Sequence, residues 1–198
     1  MVATGSREIG RKLWQHGGVI AGVFMVVFVC ELALSRNTPE LCRMAVCTAL
    51  MVPSAVLDSI YGKLYHRLSA CMVISGLTFA SVMNVVYGGG YMVSAVGGGV
   101  LFFALMLVVF LLSRGGMGFG DVCFAAGAGV FVGWDMVPVA FLLTFLLGGL
   151  VALKVYICNV LHGQRAKEKM PLGPFLTAGS LLAMLYGWEI LRWCAGGG

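Results

Sequence analysis

Long, uninterrupted apolar runs limit this 198-residue chain more than any other feature. Seven are visible, at roughly Gly18–Ser35, Leu41–Leu57, Leu68–Tyr87, Tyr91–Leu112, Val122–Trp134, Val137–Leu161 and Leu172–Trp193. About 20 apolar residues cross a bilayer as a helix, which satisfies its own backbone donors and acceptors where no water can. A transmembrane barrel would need alternating apolar and polar residues; these runs do not alternate. Charged residues make up 11% of the chain, against about 25% in soluble domains. The longest polar stretch is Met1–His16, too little for a soluble domain. The expected fold is therefore all-α, a polytopic integral membrane helix bundle with about seven transmembrane helices. The fifth run is short for a full crossing and reads as a tilted or half-buried helix, or as one that extends backward through the glycine loop. The first lacks a small-residue cleavage site before Asn37, so it reads as a membrane helix and not as a signal peptide.

Basic residues orient the bundle. With the N-terminus in the cytoplasm, nine fall inside (Arg7, Arg11, Lys12, Lys63, Arg67, Arg114, Arg165, Lys167, Lys169) and three outside (Arg36, Arg43, Arg192). Lys154 lies within the sixth run and can snorkel to the inner face. The net charge of +5 is thus a topology signal, with Arg165–Lys169 suited to anionic lipid contact. No basic patch interleaved with aromatics suggests a nucleic-acid partner. The seven cysteines form no CxxC pair, so a structural metal site is not expected; they read as small hydrophobes. The methionines and tryptophans read as packing and interface residues, and no cofactor is expected.

Against this background the acids stand out, because ionisable groups at membrane helices are costly and therefore functional suspects. Among eight acidic residues, three are aspartates: Asp58, Asp121 and Asp135. Asp58 closes the second run. Asp121 follows the glycine-rich stretch Gly115-Gly116-Met117-Gly118-Phe119-Gly120. In the orientation above both lie at the cytoplasmic face and Asp135 lies outside. Two carboxylates brought together there would share one proton, and such a pair can activate water with one oxygen and protonate a carbonyl or leaving amine with another. The titration would belong to the pair. Gly118 and Gly120 can take backbone angles closed to other residues and admit a close substrate backbone. Each acid also has a plainer reading: Asp121 as a helix cap, Asp58 as a solvated helix end. Pro171 and Pro174 suit either helix initiation or a loop lining a peptide cleft. His66 and His162 read as loop histidines. Glu31, in the first run, faces the bundle or reaches the interface.

The stretch Gly116-Met117-Gly118-Phe119-Gly120-Asp121-Val122, with Ala125-Ala126-Gly127 and Gly133-Trp134 after it, resembles the signature of bacterial type IV prepilin peptidases, intramembrane aspartic proteases of the GxGD type. Met170-Pro171-Leu172-Gly173-Pro174-Phe175-Leu176 and Gly179 resemble the family's Pro-x-Gly-Pro-Phe hallmark. The likeness runs from about Leu41 to Trp193. It divides the chain into residues 1–40, a cytoplasmic tail with the first membrane helix, and 41–198, a peptidase-like membrane domain. It implies Asp58 and Asp121 as the catalytic pair, and Gly118, Phe119, Gly120, Pro171, Gly173, Pro174 and Phe175 as motif or substrate-positioning residues. It further implies an inner-membrane enzyme that removes the leader of prepilins or pseudopilins at the cytoplasmic face, with pilin substrate and lipid as partners. Archaeal preflagellin peptidases share the chemistry, but the Pro-x-Gly-Pro-Phe stretch favours the bacterial branch. The family's Ile-Pro-Asn is here Leu64-Tyr65-His66, and its lysine after Gly-Asp-Val is Cys123. Larger members insert a zinc-binding methyltransferase domain between the first two helices; only Arg36–Leu41 lies there in this chain, so no methyltransferase activity is expected. The rival reading is a non-catalytic membrane protein, either a small proton-coupled carrier or a pilin-binding relative of the peptidases.

Overall fold

The computed structural model describes residues 38–61, 66–113, 117–161 and 172–194, with Met25 and Gly196 besides. Six helices cover them: α1 (Thr38–Tyr61), α2 (His66–Tyr87), α3 (Tyr91–Leu112), α4 (Phe119–Val132), α5 (Val137–Leu161) and α6 (Gly173–Cys194). There are no strands among the described residues. The molecule is an all-helical bundle, as its apolar runs require. Apart from Met25, the first apolar run and the N-terminal tail lie outside the described residues, and the other six runs each correspond to a helix.

Five helices form a closed ring. α1 packs on α2, α2 on α3, α3 on α5, α5 on α6, and α6 returns to α1. Each contains a stretch long and apolar enough to cross a membrane. The short α4 stands inside the ring and touches all five. At 14 residues it is about 21 Å long, short of a roughly 30 Å hydrocarbon core. Its sides are buried all round: Val122, Phe124, Ala125, Ala128 and Phe131 are shielded, together with Gly127 and Gly129. The fifth apolar run is thus an internal helix and not a lipid-facing span.

Lipid tails are as apolar as leucine, so close backbone packing rather than solvent exclusion holds such helices together. Small residues make it possible here. A methyl on Gly98 of α3 would run into the Gly129 carbonyl of α4, and one on Gly129 into the Gly98 carbonyl. Gly127 lies under Met72 of α2, where an added Cβ would come within 2.9 Å of that side chain. Gly179 of α6 lies against Thr144 of α5. Larger side chains fill the remaining core, with Phe102, Phe124, Phe131, Met51, Met72, Met106 and Leu176 fully buried.

Three contacts set one antiparallel register between α3 and α4. The Trp134 N–H donates to the Ser94 carbonyl at 3.2 Å, Gly98 meets Gly129, and the Phe110 and Phe119 rings pack edge to face at 5.8 Å. The bundle therefore has two distinct ends. One holds the α2–α3 turn, where Gly88, Gly89 and Gly90 adopt φ of 67°, 87° and 77°, a left-handed path that glycine follows without penalty. Trp134, Asp135, Tyr87 and Tyr91 are exposed there. The other end gathers the last turns of α1 and α3 with the first turns of α2, α4 and α6.

Candidate active site

At that second end α1, α4 and α6 meet. Asp58 lies one turn before the end of α1 and is buried, with 4% of its surface exposed. The reading of Asp58 as a solvated helix end therefore fails. A buried carboxylate needs hydrogen bonds, and Asp58 receives one: the Gly173 N–H, in the first turn of α6, donates to its Oδ2 at 2.9 Å. A helix N-terminus has unpaired N–H groups and a positive dipole end, both suited to an anion. Gly173 is also the only residue type that fits. A Cβ there would stand 2.6 Å from Asp58 Oδ2 and 3.0 Å from its Cγ.

Asp121 lies in the first turn of α4, whose N-cap is Gly118. Its Oδ2 accepts the Gly118 N–H at 3.3 Å, and its own N–H donates to the Gly118 carbonyl at 3.1 Å. Gly118 has no side chain, so this is the carboxylate half of a capping box. The capping reading of Asp121 therefore holds, at the third helical position and not at the cap itself. One of its oxygens has this role, and the side chain remains half-buried. Asp58 and Asp121 thus stand at the same end of the bundle, on helices α1 and α4 that touch. Asp135, at the opposite end, takes no part.

The glycine stretch differs from expectation. Gly118 has φ −83° and ψ 142°, an extended conformation open to any residue, and Gly120 is helical. Neither uses the conformational freedom expected of it. What these two glycines supply is space, since neither places a side chain beside Phe119.

Phe119 is 45% exposed. Its ring lies 5.8 Å from Phe110 of α3 and 6.3 Å from His66 of α2, forming an aromatic lip beside Asp121. His66 was expected in a loop; it is the first residue of α2. The signal was present, because an apolar run begins two residues after it. Pro174 sits in the first turn of α6, where its missing N–H costs nothing. Phe175 faces elsewhere. Two positions along a helix is a rotation of about 200°, and the ring packs on Gly148 of α5, within 3.6 Å of where a Cβ would stand. Pro171 lies outside the described residues. Cys123, in the place of the expected lysine, is half-buried on α4. No group of three or more His, Cys, Asp or Glu among the described residues could hold a metal ion.

Fold and composition together define a polytopic helical membrane protein. Residues 45–153 match the type IV leader peptidase family, and the chain belongs to that family. The match contains both Asp58 and Asp121 and ends before α6. Curated relatives named prepilin leader peptidase/N-methyltransferase agree with it. The Burkholderia pseudomallei (strain 1026b) protein is 32% identical over 155 residues, covering 74% of this chain and 47% of its own. Those of Aeromonas hydrophila and Legionella pneumophila are each 27% identical, covering 74% and 75% of this chain and 50% and 53% of their own lengths. The chain thus spans about half the length of the curated relatives it matches. No solved structure matches it significantly.

Proposed function

We propose that the protein is an aspartic endopeptidase that removes the leader peptide of prepilins or pseudopilins, with Asp58 and Asp121 as its catalytic pair. The observation that supports this reading is the placement of two acids, one buried and one half-buried, at the same end of the bundle. They come from separate helices that touch, lie at one end of the bundle, and each accepts a backbone N–H through Oδ2. With Oδ2 engaged in both, each carboxyl has its second oxygen for chemistry.

Mutual repulsion favours a single shared proton. The ionised carboxylate removes a proton from water as the oxygen attacks the scissile carbonyl carbon, and the other carboxyl gives its proton to the carbonyl oxygen. The resulting gem-diol collapses when the C–N bond breaks. The proton taken from water passes to the departing amine, and the diol returns a proton to the second carboxylate. The pair ends in the protonation state in which it began. Neither a metal nor a covalent intermediate is required. The bond must be extended to lie between the acids, so the substrate helix unwinds at its end before cleavage. The distribution of Lys and Arg supports assigning this end of the bundle to the cytoplasmic face of the inner membrane. This reading assigns cleavage, and not N-methylation, to the chain.

Co-expression with a candidate prepilin tests it. Asp58→Asn and Asp121→Asn keep the size and the acceptor oxygen but cannot hold the proton. Each should lower cleavage by roughly 10²–10⁴-fold while the protein still inserts. Cleavage at the wild-type rate in either variant would exclude the mechanism. Absence of cleavage by the wild-type protein across several prepilins would favour the non-catalytic reading.

A further inference from the structure

The other end of the bundle holds a cavity of about 110 Å³. Glu40 and Arg43 of α1, Phe79 of α2, and Tyr91 and Ser94 of α3 are among its lining residues. This is room for three or four waters at about 30 Å³ each, well below the roughly 300 Å³ of a drug-sized pocket. We infer that the cavity binds the headgroup of an aminophospholipid, with the phosphate on Arg43 and the ammonium on Glu40.

Arg43 supplies the first argument. Its Nε is buried and has no hydrogen-bond partner. A buried N–H without an acceptor carries an uncompensated desolvation cost, and a guanidinium pairs readily with phosphate oxygens. Glu40 supplies the second. It is three residues from Arg43 on the same helix, a spacing at which opposite charges commonly pair, yet no ion pair joins them among the described residues. Two opposite charges that line one cavity without meeting suit a ligand that carries both. Glu40 is exposed and Arg43 half-buried, so phosphate sits deeper and ammonium nearer the mouth. The Ser94 hydroxyl, on the cavity wall, adds a donor for phosphate.

The surroundings indicate a lipid rather than a soluble zwitterion. Tyr91 and Trp134 are exposed at this end, by 45% and 57%, and such rings mark headgroup depth. Val82, Val86 and Val93 stand exposed on the same turns of α2 and α3 as the lining residues Met83 and Tyr91, an apolar surface for acyl chains. The cavity lies across the bundle from Asp58 and Asp121, so the inference is independent of the protease reading.

The test uses the full chain in detergent, with thermal unfolding and native mass spectrometry as readouts. Dioleoyl-phosphatidylethanolamine should raise the melting temperature and remain bound. Phosphatidylglycerol, which lacks the ammonium, and phosphatidylcholine, whose methyls remove its N–H donors, should bind about tenfold more weakly, as expected for the loss of one charged hydrogen bond. Glu40→Gln should abolish the preference for phosphatidylethanolamine over phosphatidylglycerol. Arg43→Gln should weaken all three lipids, and Arg43→Lys should restore part of the loss. Free phosphoethanolamine should compete only poorly. Equal binding of the three lipids by the wild-type protein overturns the inference whether or not the variants fold. Phosphoethanolamine binding as tightly as the lipid overturns the lipid assignment. Failure of any lipid to bind overturns it as well.

Discussion

Replacing Gly173 by alanine tests the link between α6 and the acid pair, on the protease reading. The added methyl would stand 2.6 Å from Asp58 Oδ2, 2.9 Å from its Cβ and 3.0 Å from its Cγ. All are shorter than the roughly 3.5 Å at which carbon contacts become favourable. Asp58 cannot swing into solvent, because it is buried. Either its carboxyl shifts by the better part of an ångström or the first turn of α6 retreats. Both lengthen the 2.9 Å bond from the Gly173 N–H. The overpacking should cost roughly 1–3 kcal/mol of stability, a modest lowering of the melting temperature. A misplacement of about 1 Å at a reacting group can cost 10²-fold in rate, so kcat for leader removal should fall by about that factor while KM stays within a few-fold. Gly149→Ala is the matched control, since a Cβ there meets nothing within 4 Å. The assay is quantitative cleavage of a prepilin in detergent, followed by gel shift at several substrate concentrations. A Gly173→Ala enzyme that cleaves at the wild-type kcat would show that the Asp58–Gly173 contact has no part in catalysis.

Three further outcomes are expected. Gly98→Ala and Gly129→Ala each drive a methyl into a backbone carbonyl of the facing helix, so each should lower stability by roughly 1–3 kcal/mol in thermal unfolding, where Gly149→Ala should not. The pH–rate profile should be bell-shaped, falling on the acid side as both carboxyls become protonated and on the alkaline side as both ionise; a rate that stays flat from pH 4 to 9 contradicts a shared proton. Phe119→Ala removes a ring that is nearly half exposed and leaves the Gly118–Asp121 bonds in place, so unfolding should change by no more than about 1 kcal/mol, with any effect on cleavage falling on KM rather than kcat.

The ring of long helices was legible because hydrocarbon leaves a chain few options. A run such as Tyr91–Leu112 has the same limits as an expectation and as α3. The helix ends were less legible where capping outweighs composition. The apolar run starts only at Val122, yet α4 starts at Phe119, the backward extension into the glycine stretch that was one of the readings. Gly120 and Asp121 look like helix breakers in isolation. In the first turn they are favourable, because an acid there accepts an orphan N–H. For the same reason Gly118 and Gly120 hold no unusual dihedral angle. Gly173 was legible as part of a motif but not for what it does, because its partner Asp58 is 115 residues away and no local pattern announces the contact. His66 and Phe119 meet only because α2 and α4 start at the same level of the bundle. Glu40 and Arg43 offered no signal at all, since one turn of helix would ordinarily have paired them.

The short central helix explains why the acids can lie where they do. A helix that crosses the full bilayer would carry a first-turn acid to the bundle's outer rim, in bulk water. α4 is instead about 21 Å long, and its far end is fastened by the Gly98–Gly129 contact and the Trp134–Ser94 bond. Its near end therefore stops short of the last turn of α3, which runs on to Leu112. Asp121 is thereby set about one turn inside the rim, and Asp58 is itself one turn from the end of α1. Surrounding helix ends lower the local dielectric, the condition under which one acid's charge acts strongly on another. Lengthening α4 by a turn would lift Asp121 away from Asp58 by about 5 Å, and the pair would be lost although every residue in it remained.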